Sequence, residues 1–77
     1  MSEAARIRWQ CRRGLLELDL LLAAFIEKHL DRLDAQQVAL FKELLGQPDN
    51  DLLDLVMGRA ELVDQRCKPV LELLRAR

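Results

Sequence analysis

Arg12-Arg13-Gly14-Leu15-Leu16-Glu17 separates a basic N-terminal segment from the most leucine-rich part of the chain. Two arginines and a glycine end one helical pattern, and a glutamate stands in the first turn of the next. Glycine reaches left-handed backbone angles without steric cost, so Gly14 is the expected stop of the first helix. Charges at such a corner are surface features, because a corner cannot be buried on every side. The stretch reads as a break between helices that offers charged groups to a partner, not as the lip of a substrate cleft.

Working outward, Ser2 is a natural N-cap and residues 3–12 form the expected first helix. At about 100° per residue, Ala4, Ile7 and Cys11 share one narrow apolar face. Trp9 falls nearly opposite, flanked by Arg6, Arg12 and Arg13. Two readings of this indole stay open: it packs at the edge of its own domain, or it joins the arginines in a contact platform of the kind that dominates interface hot spots. The second helix is expected from about Leu15 to Leu30. Leu15, Leu18, Leu22, Phe25 and Ile26 form its core stripe, which Leu16, Leu20 and Ala23 extend. Apolar over most of its girth, it is expected to be the central helix against which the others pack. Asp19 projects into that stripe and needs a partner, either an arginine of the first helix or backbone donors near a helix start. Glu17 points to the thin polar side with Lys28, favoured by the helix dipole and free to meet something outside the domain.

Further along, Asp34-Ala35-Gln36-Gln37 is a capping box that opens a third helix to about Leu45, with Val38, Phe41, Leu44 and Leu45 inward and Gly46 closing it. Gln47-Pro48-Asp49-Asn50 is a turn signal. A short fourth helix is expected over Asp51 to Met57, with Leu52, Leu55 and Val56 apolar and Gly58 at its end. Residues 59–66 are less regular. Pro69 fits the first turn of a last helix from about Lys68 to Ala76, with Val70, Leu71 and Leu74 inward. The expected architecture is an all-α, compact five-helix bundle forming a single small domain over residues 1–77.

Size and composition agree. The chain has 77 residues, of which 51% are hydrophobic, 32% charged and 4% aromatic, with 3 Gly and 2 Pro; this suits one compact helical domain and leaves no material for a cleft between two lobes. The net charge of −1 supplies no global field for nucleic acid or an anionic membrane. The local distribution is polarised: residues 6–13 hold four arginines and no acid, whereas residues 47–64 hold five acids and one arginine. Cys11 and Cys67 match neither a redox pair nor a zinc knuckle, and are expected to be reduced, apolar thiols. Met1-Ser2-Glu3-Ala4 leads straight into a helical pattern without a signal or transit peptide, and the apolar run from Leu20 to Ile26 is too short to span a bilayer. A cytoplasmic protein that does not insert into membranes is the expectation.

Catalytic groups are scarce. There is no phosphate-binding glycine loop and no HExxH, and the lone His29 is a solvated helix-end imidazole more readily than a metal ligand with Cys11 and Cys67. Ser2, at the terminus, is the sole serine, which leaves no Ser/His/Asp arrangement. The acid pairs Asp49 with Asp51 and Glu61 with Asp64 look like caps and solvated faces. Enzymatic activity and a metal site are not expected, and one four-arginine patch is thin support for nucleic-acid binding.

The run from Arg6 to Asp19 resembles the opening of the succinate dehydrogenase assembly factor family (SdhE/YgfY in bacteria, assembly factor 2 in mitochondria), whose RGxxE signature is matched by Arg13, Gly14 and Glu17. The family's ELD is matched by Glu17-Leu18-Asp19. Phe41-Lys42-Glu43-Leu44-Leu45, Asp49-Asn50-Asp51-Leu52 and Met57-Gly58-Arg59 resemble later family segments. Leu55 departs from the family, many members of which carry Trp there; it is taken as a packing variation. The resemblance implies a chaperone-like FAD assembly factor that binds the flavoprotein subunit of succinate dehydrogenase, and in bacteria that of fumarate reductase. Such a factor promotes covalent flavinylation of its client while holding no tightly bound cofactor of its own, as a monomer or weak homodimer. By motif match, Arg13 and Glu17 would pair with client charges, Gly14 would set the corner that aims them, and Arg8, Trp9 and Arg12 would extend the contact. Gly14→Arg is expected to damage the corner through both backbone angle and bulk. The competing readings are a generic helical adaptor or antitoxin-like regulator, and a small nucleic-acid-binding domain.

Overall fold

Ser2 opens the first helix, its Oγ accepting a 3.1 Å hydrogen bond from the Ala5 amide. The computed structural model describes residues 2–62 and 64–76; Met1, Val63 and Arg77, which belong to the expected 1–77 domain, lie outside the described residues. Helix α1 spans Glu3–Gln10. It ends two residues earlier than its pattern reached, because the Cys11 amide is shared between the Ile7 and Arg8 carbonyls at 3.1 and 3.3 Å and the Arg12 amide bonds three residues back, to the Trp9 carbonyl, which tightens the last turn. Gly14 then takes a left-handed φ of +83°, and α2 runs over Leu16–His29. A 3-10 turn, Leu30–Arg32, completes the segment expected as helix up to Leu30.

The capping box forms as expected. Asp34 accepts from the Gln37 amide at 2.7 Å, the Gln37 side chain accepts from the Asp34 amide at 3.0 Å, and α3 spans Ala35–Leu45. Helix α4 covers Asp49–Val56, starting two residues before the expected Asp51. Pro48 is its N-cap, with its carbonyl accepting from the Leu52 amide at 2.9 Å. Its fixed φ prepares the helix start, and Asp49 and Asp51 both sit where the helix dipole favours acids. The turn signal at residues 47–50 therefore extends two residues too far. Gly58, at φ +80°, ends this segment. Asp64 caps a second 3-10 turn, Gln65–Cys67, by accepting from the Arg66 amide at 3.0 Å, and α5 follows over Lys68–Arg75.

The packing corrects one expectation. Helix α5 packs on α2, α3 and α4, with Val70, Leu71 and Leu74 all buried. Leu18, Leu22, Phe25 and Ile26 of α2 face the core, and the Phe25 and Phe41 rings meet at 4.7 Å across the α2–α3 contact. Leu16, Leu20 and Ala23, expected to widen the α2 core stripe, are exposed instead. A domain this small has too few neighbours to cover a helix that is apolar all round. Leu55, the position of the family tryptophan, is a buried core residue, and so are Cys11 and Cys67.

The described residues thus form five α-helices around one core. The Cα radius of gyration is 11.4 Å, against about 11.5 Å for a single compact domain of this length. No helix among the described residues is long and apolar enough to cross a membrane.

Candidate functional site

Two helix ends with unsatisfied carbonyls build the corner, and one arginine serves them. The carbonyls at the end of α3 have no partner within the helix and carry its negative dipole end, so they attract a cation. Arg13 supplies it. Its Nη1 donates to the Leu45 carbonyl at 2.7 Å and its Nη2 to the Gln47 carbonyl at 2.6 Å. Its Nε donates to Asp49 Oδ1 at 2.7 Å, in the first turn of α4, and Nη1 also reaches the Gln10 carbonyl at 3.2 Å. The side chain is only 14% exposed. The expectation that Arg13 points outward with Glu17 is therefore corrected: its guanidinium turns inward and fastens the α1–α2 corner to the α3–α4 corner.

Asp19 holds the same corner from the other side. Its carboxylate accepts from the Arg13 amide at 2.8 Å and from the Gly14 amide at 3.2 Å. Of the two partners open to it in sequence, backbone donors are the ones it takes. They lie in the turn before α2, whose N-cap residue Leu15 offers no side-chain bond of its own. Gly14 is needed there for its backbone angle alone, since a β-carbon at this position would meet nothing within 4 Å. The bulk expected to make Gly14→Arg worse has no clash inside the domain; it would project from the surface.

What remains outward is a compact set. Glu17 is exposed in the first turn of α2 and makes no hydrogen bond or ion pair among the described residues. Arg8 and Arg12 are exposed and unpaired on the same terms. Trp9 is 67% exposed, which decides between its two readings in favour of an outward indole. With Leu16 at 74% and Leu20 at 62%, it belongs to the three large hydrophobic residues the described surface exposes, all within residues 9–20. Arg12 forms a ridge between two hollows. On one side lie Trp9, Gln10, Arg13 and Asp49; on the other runs a groove lined by Arg8, Leu20, Ala23 and Ile26. Sequence reasoning missed Leu16 and Leu20 as surface residues. The available signal was the excess apolar girth of α2 in a chain too short to cover it.

The thiols are quiet. Burial pushes Cys11 up to about 11, against the opposing pull of the Arg13 guanidinium, and burial likewise raises Cys67. His29 lies at the end of α2 with its ring 5.2 Å from that of Phe25. No group of His, Cys, Asp and Glu among the described residues is arranged to hold a metal ion. The acidic residues near α4 act locally: Asp54 pairs with Arg59 at 3.0 Å, and Asp64 with Arg66 at 2.6 Å.

Comparison with known proteins meets this geometry over nearly the whole chain. The family described as the flavinator of succinate dehydrogenase (Sdh5) matches residues 5–77. The FAD assembly factor SdhE of Idiomarina loihiensis is 34% identical over 77 residues, covering 100% of this chain and 86% of its own. That of Legionella pneumophila (strain Paris) is 48% identical over 59 residues, or 77% of this chain and 75% of its own. That of Ralstonia nicotianae is 41% identical over 76 residues, covering 94% and 80%. These relatives are named as assembly factors, not as catalysts. With the match spanning every helix of the bundle and the Arg13-Gly14-Glu17 corner, the chain belongs to the family of flavinators of succinate dehydrogenase.

Proposed function

We propose that this protein is an FAD assembly factor that binds the flavoprotein subunit of succinate dehydrogenase and promotes covalent attachment of FAD to a histidine of that subunit. The flavoprotein of fumarate reductase is a second client. The observation that carries the reading is the division of labour at the corner: Arg13 and Asp19 are consumed in holding it together, while Glu17, Arg8, Arg12 and Trp9 stand exposed around it. A free carboxylate, two free guanidiniums and an indole on a rigid base suit recognition of a folded protein surface. The factor contributes no nucleophile and keeps no tightly bound cofactor; the bond forms between client and flavin. Its contribution is positional, favouring the client conformation in which the flavin methyl group and the histidine are aligned. Glu17 and the exposed arginines bind client charges, and Gly14 sets the angle from which they project.

Reconstitution tests this. Purified, unflavinylated flavoprotein subunit is incubated with FAD, with and without the factor, and covalent flavin is read as fluorescence in a denaturing gel. Faster or more complete attachment with the factor supports the proposal. Equal attachment with and without it would remove the function.

A further inference from the structure

The groove beside Arg12 borders the Asp19–Gly14 corner, whose residues form part of its lining. Along α2, Leu16, Leu20, Ala23 and Glu27 recur at spacings of four, three and four residues, which places them on one stripe of the helix. All four are exposed. Leu20, Ala23 and Glu27 of the stripe, with Asp19 and Ile26, line a groove of about 780 Å³ whose α1 side carries Arg8 and Arg12; Leu16 continues the stripe outside that lining. Small-molecule pockets enclose most of their ligand. Here Leu16 and Leu20 project from the surface, so only an occupant with an extended apolar face can cover them.

We infer that this groove is the seat of an acidic amphipathic helix of the client flavoprotein, whose apolar residues lie on Leu16, Leu20 and Ala23 while its carboxylates meet Arg8 and Arg12. The inference rests on the proposed function and names the kind of segment that the corner recognises. Charge complementarity selects the occupant: among the described residues Arg8 and Arg12 form no ion pair, the Asp19 carboxylate in the same lining is taken by the Arg13 and Gly14 amides, and Glu27 alone cannot balance both guanidiniums. A second copy fits poorly. A two-fold contact through this face would bring Arg8 and Arg12 of both chains together, and a head-to-tail contact does not close. An anionic lipid surface also fits poorly, because the net charge of −1 supplies no field to hold the chain on one. An apolar stripe at helical spacing is the usual counterpart of a helix laid into a groove.

The test uses the purified flavoprotein subunit as the probe. Leu20→Asp and Ala23→Asp replace exposed residues, so folding is checked by circular dichroism, and Ala39→Asp, exposed on α3, is the control. Each groove variant is expected to weaken binding by at least about tenfold, the loss typical of an anchor residue, with the control unchanged. Ala23→Cys carrying a thiol-linked photo-crosslinker is expected to label a client helix that bears Asp or Glu beside apolar residues three or four apart. Unchanged affinity in both groove variants, or labelling confined to a second copy, to flavin or to a non-helical client segment, overturns the inference. If those results come while the wild-type factor still binds and flavinylates the subunit, the groove assignment alone is lost. If the wild-type factor does neither, the proposed function falls and takes this inference with it.

Discussion

Replacing Arg13 by alanine should damage the fold more than its place in a surface motif would lead one to expect. The substitution removes the donors to the Leu45 and Gln47 carbonyls and to Asp49. The contact with the Leu45 carbonyl is partly buried and charge-assisted, a class worth roughly 1.5–3 kcal/mol. Asp49 is 41% exposed, so its ion pair is discounted to about 0.5–1 kcal/mol. The Gln10 and Gln47 carbonyls are at the surface and return to water at little cost. The sum is about 2–4 kcal/mol, a large part of the ~4–12 kcal/mol that a domain of this size has in total. Urea unfolding followed by helical circular dichroism should show that loss, and the midpoint of thermal unfolding should fall by about 10–30 °C. Arg13→Lys should recover less than half of it, because one ammonium cannot span three partners as a guanidinium fork does. An Arg13→Ala protein within about 0.5 kcal/mol of wild type, the range of ordinary surface substitutions, would refute the fastening role.

Two further predictions concern the same corner. Gly14→Ala should cost about 1–2 kcal/mol from the left-handed φ alone, and Gly14→Asn less, as measured by the same unfolding curves; equal stability of all three would mean that the backbone angle is not needed. Cys11 should resist alkylation at pH 8 until the protein is unfolded. Its folded value of about 11 lies above the ordinary 9.0, so the folded state holds the thiol proton more tightly. The resulting stability is complete below pH 9 and is lost as pH rises toward 11. Cys11→Ala should flatten the fall in stability across that interval, and an unchanged slope would show that the thiol does not contribute.

Local signals in the sequence were enough for the helices and their ends. The Asp34–Gln37 box and Pro69 in the first turn of α5 each depend on residues within one helical turn and appear as expected; Gly14 takes the left-handed angle expected of it, although α1 has already ended at Gln10. The start of α4 was misplaced because Pro48 is as good a turn residue as it is a helix opener. The site was legible in composition but not in direction. Arg13 and Glu17 are both charged members of one motif, and only long-range structure separates them: the partners of Arg13 lie 32–36 residues away, at Leu45, Gln47 and Asp49. Nothing local to Arg13 encodes those carbonyls. Arg75 repeats the device at the other end of the bundle, binding the Leu55 carbonyl at 2.8 Å and the Ala60 carbonyl at 3.1 Å, and it was equally invisible to periodicity. Asp19 was legible because helical phase alone turned it toward the core, where a carboxylate needs donors.

The proposed function requires that Glu17 act on the client and not on the fold. Glu17→Gln, introduced into the full chain, tests it when unfolding free energy and covalent flavin yield in the co-expressed flavoprotein subunit are measured on the same preparations. Stability within about 0.5 kcal/mol of wild type is expected, together with a clear loss of covalent flavin. Full flavin yield with this variant would contradict it, and so would a loss of flavin accompanied by an equivalent loss of stability.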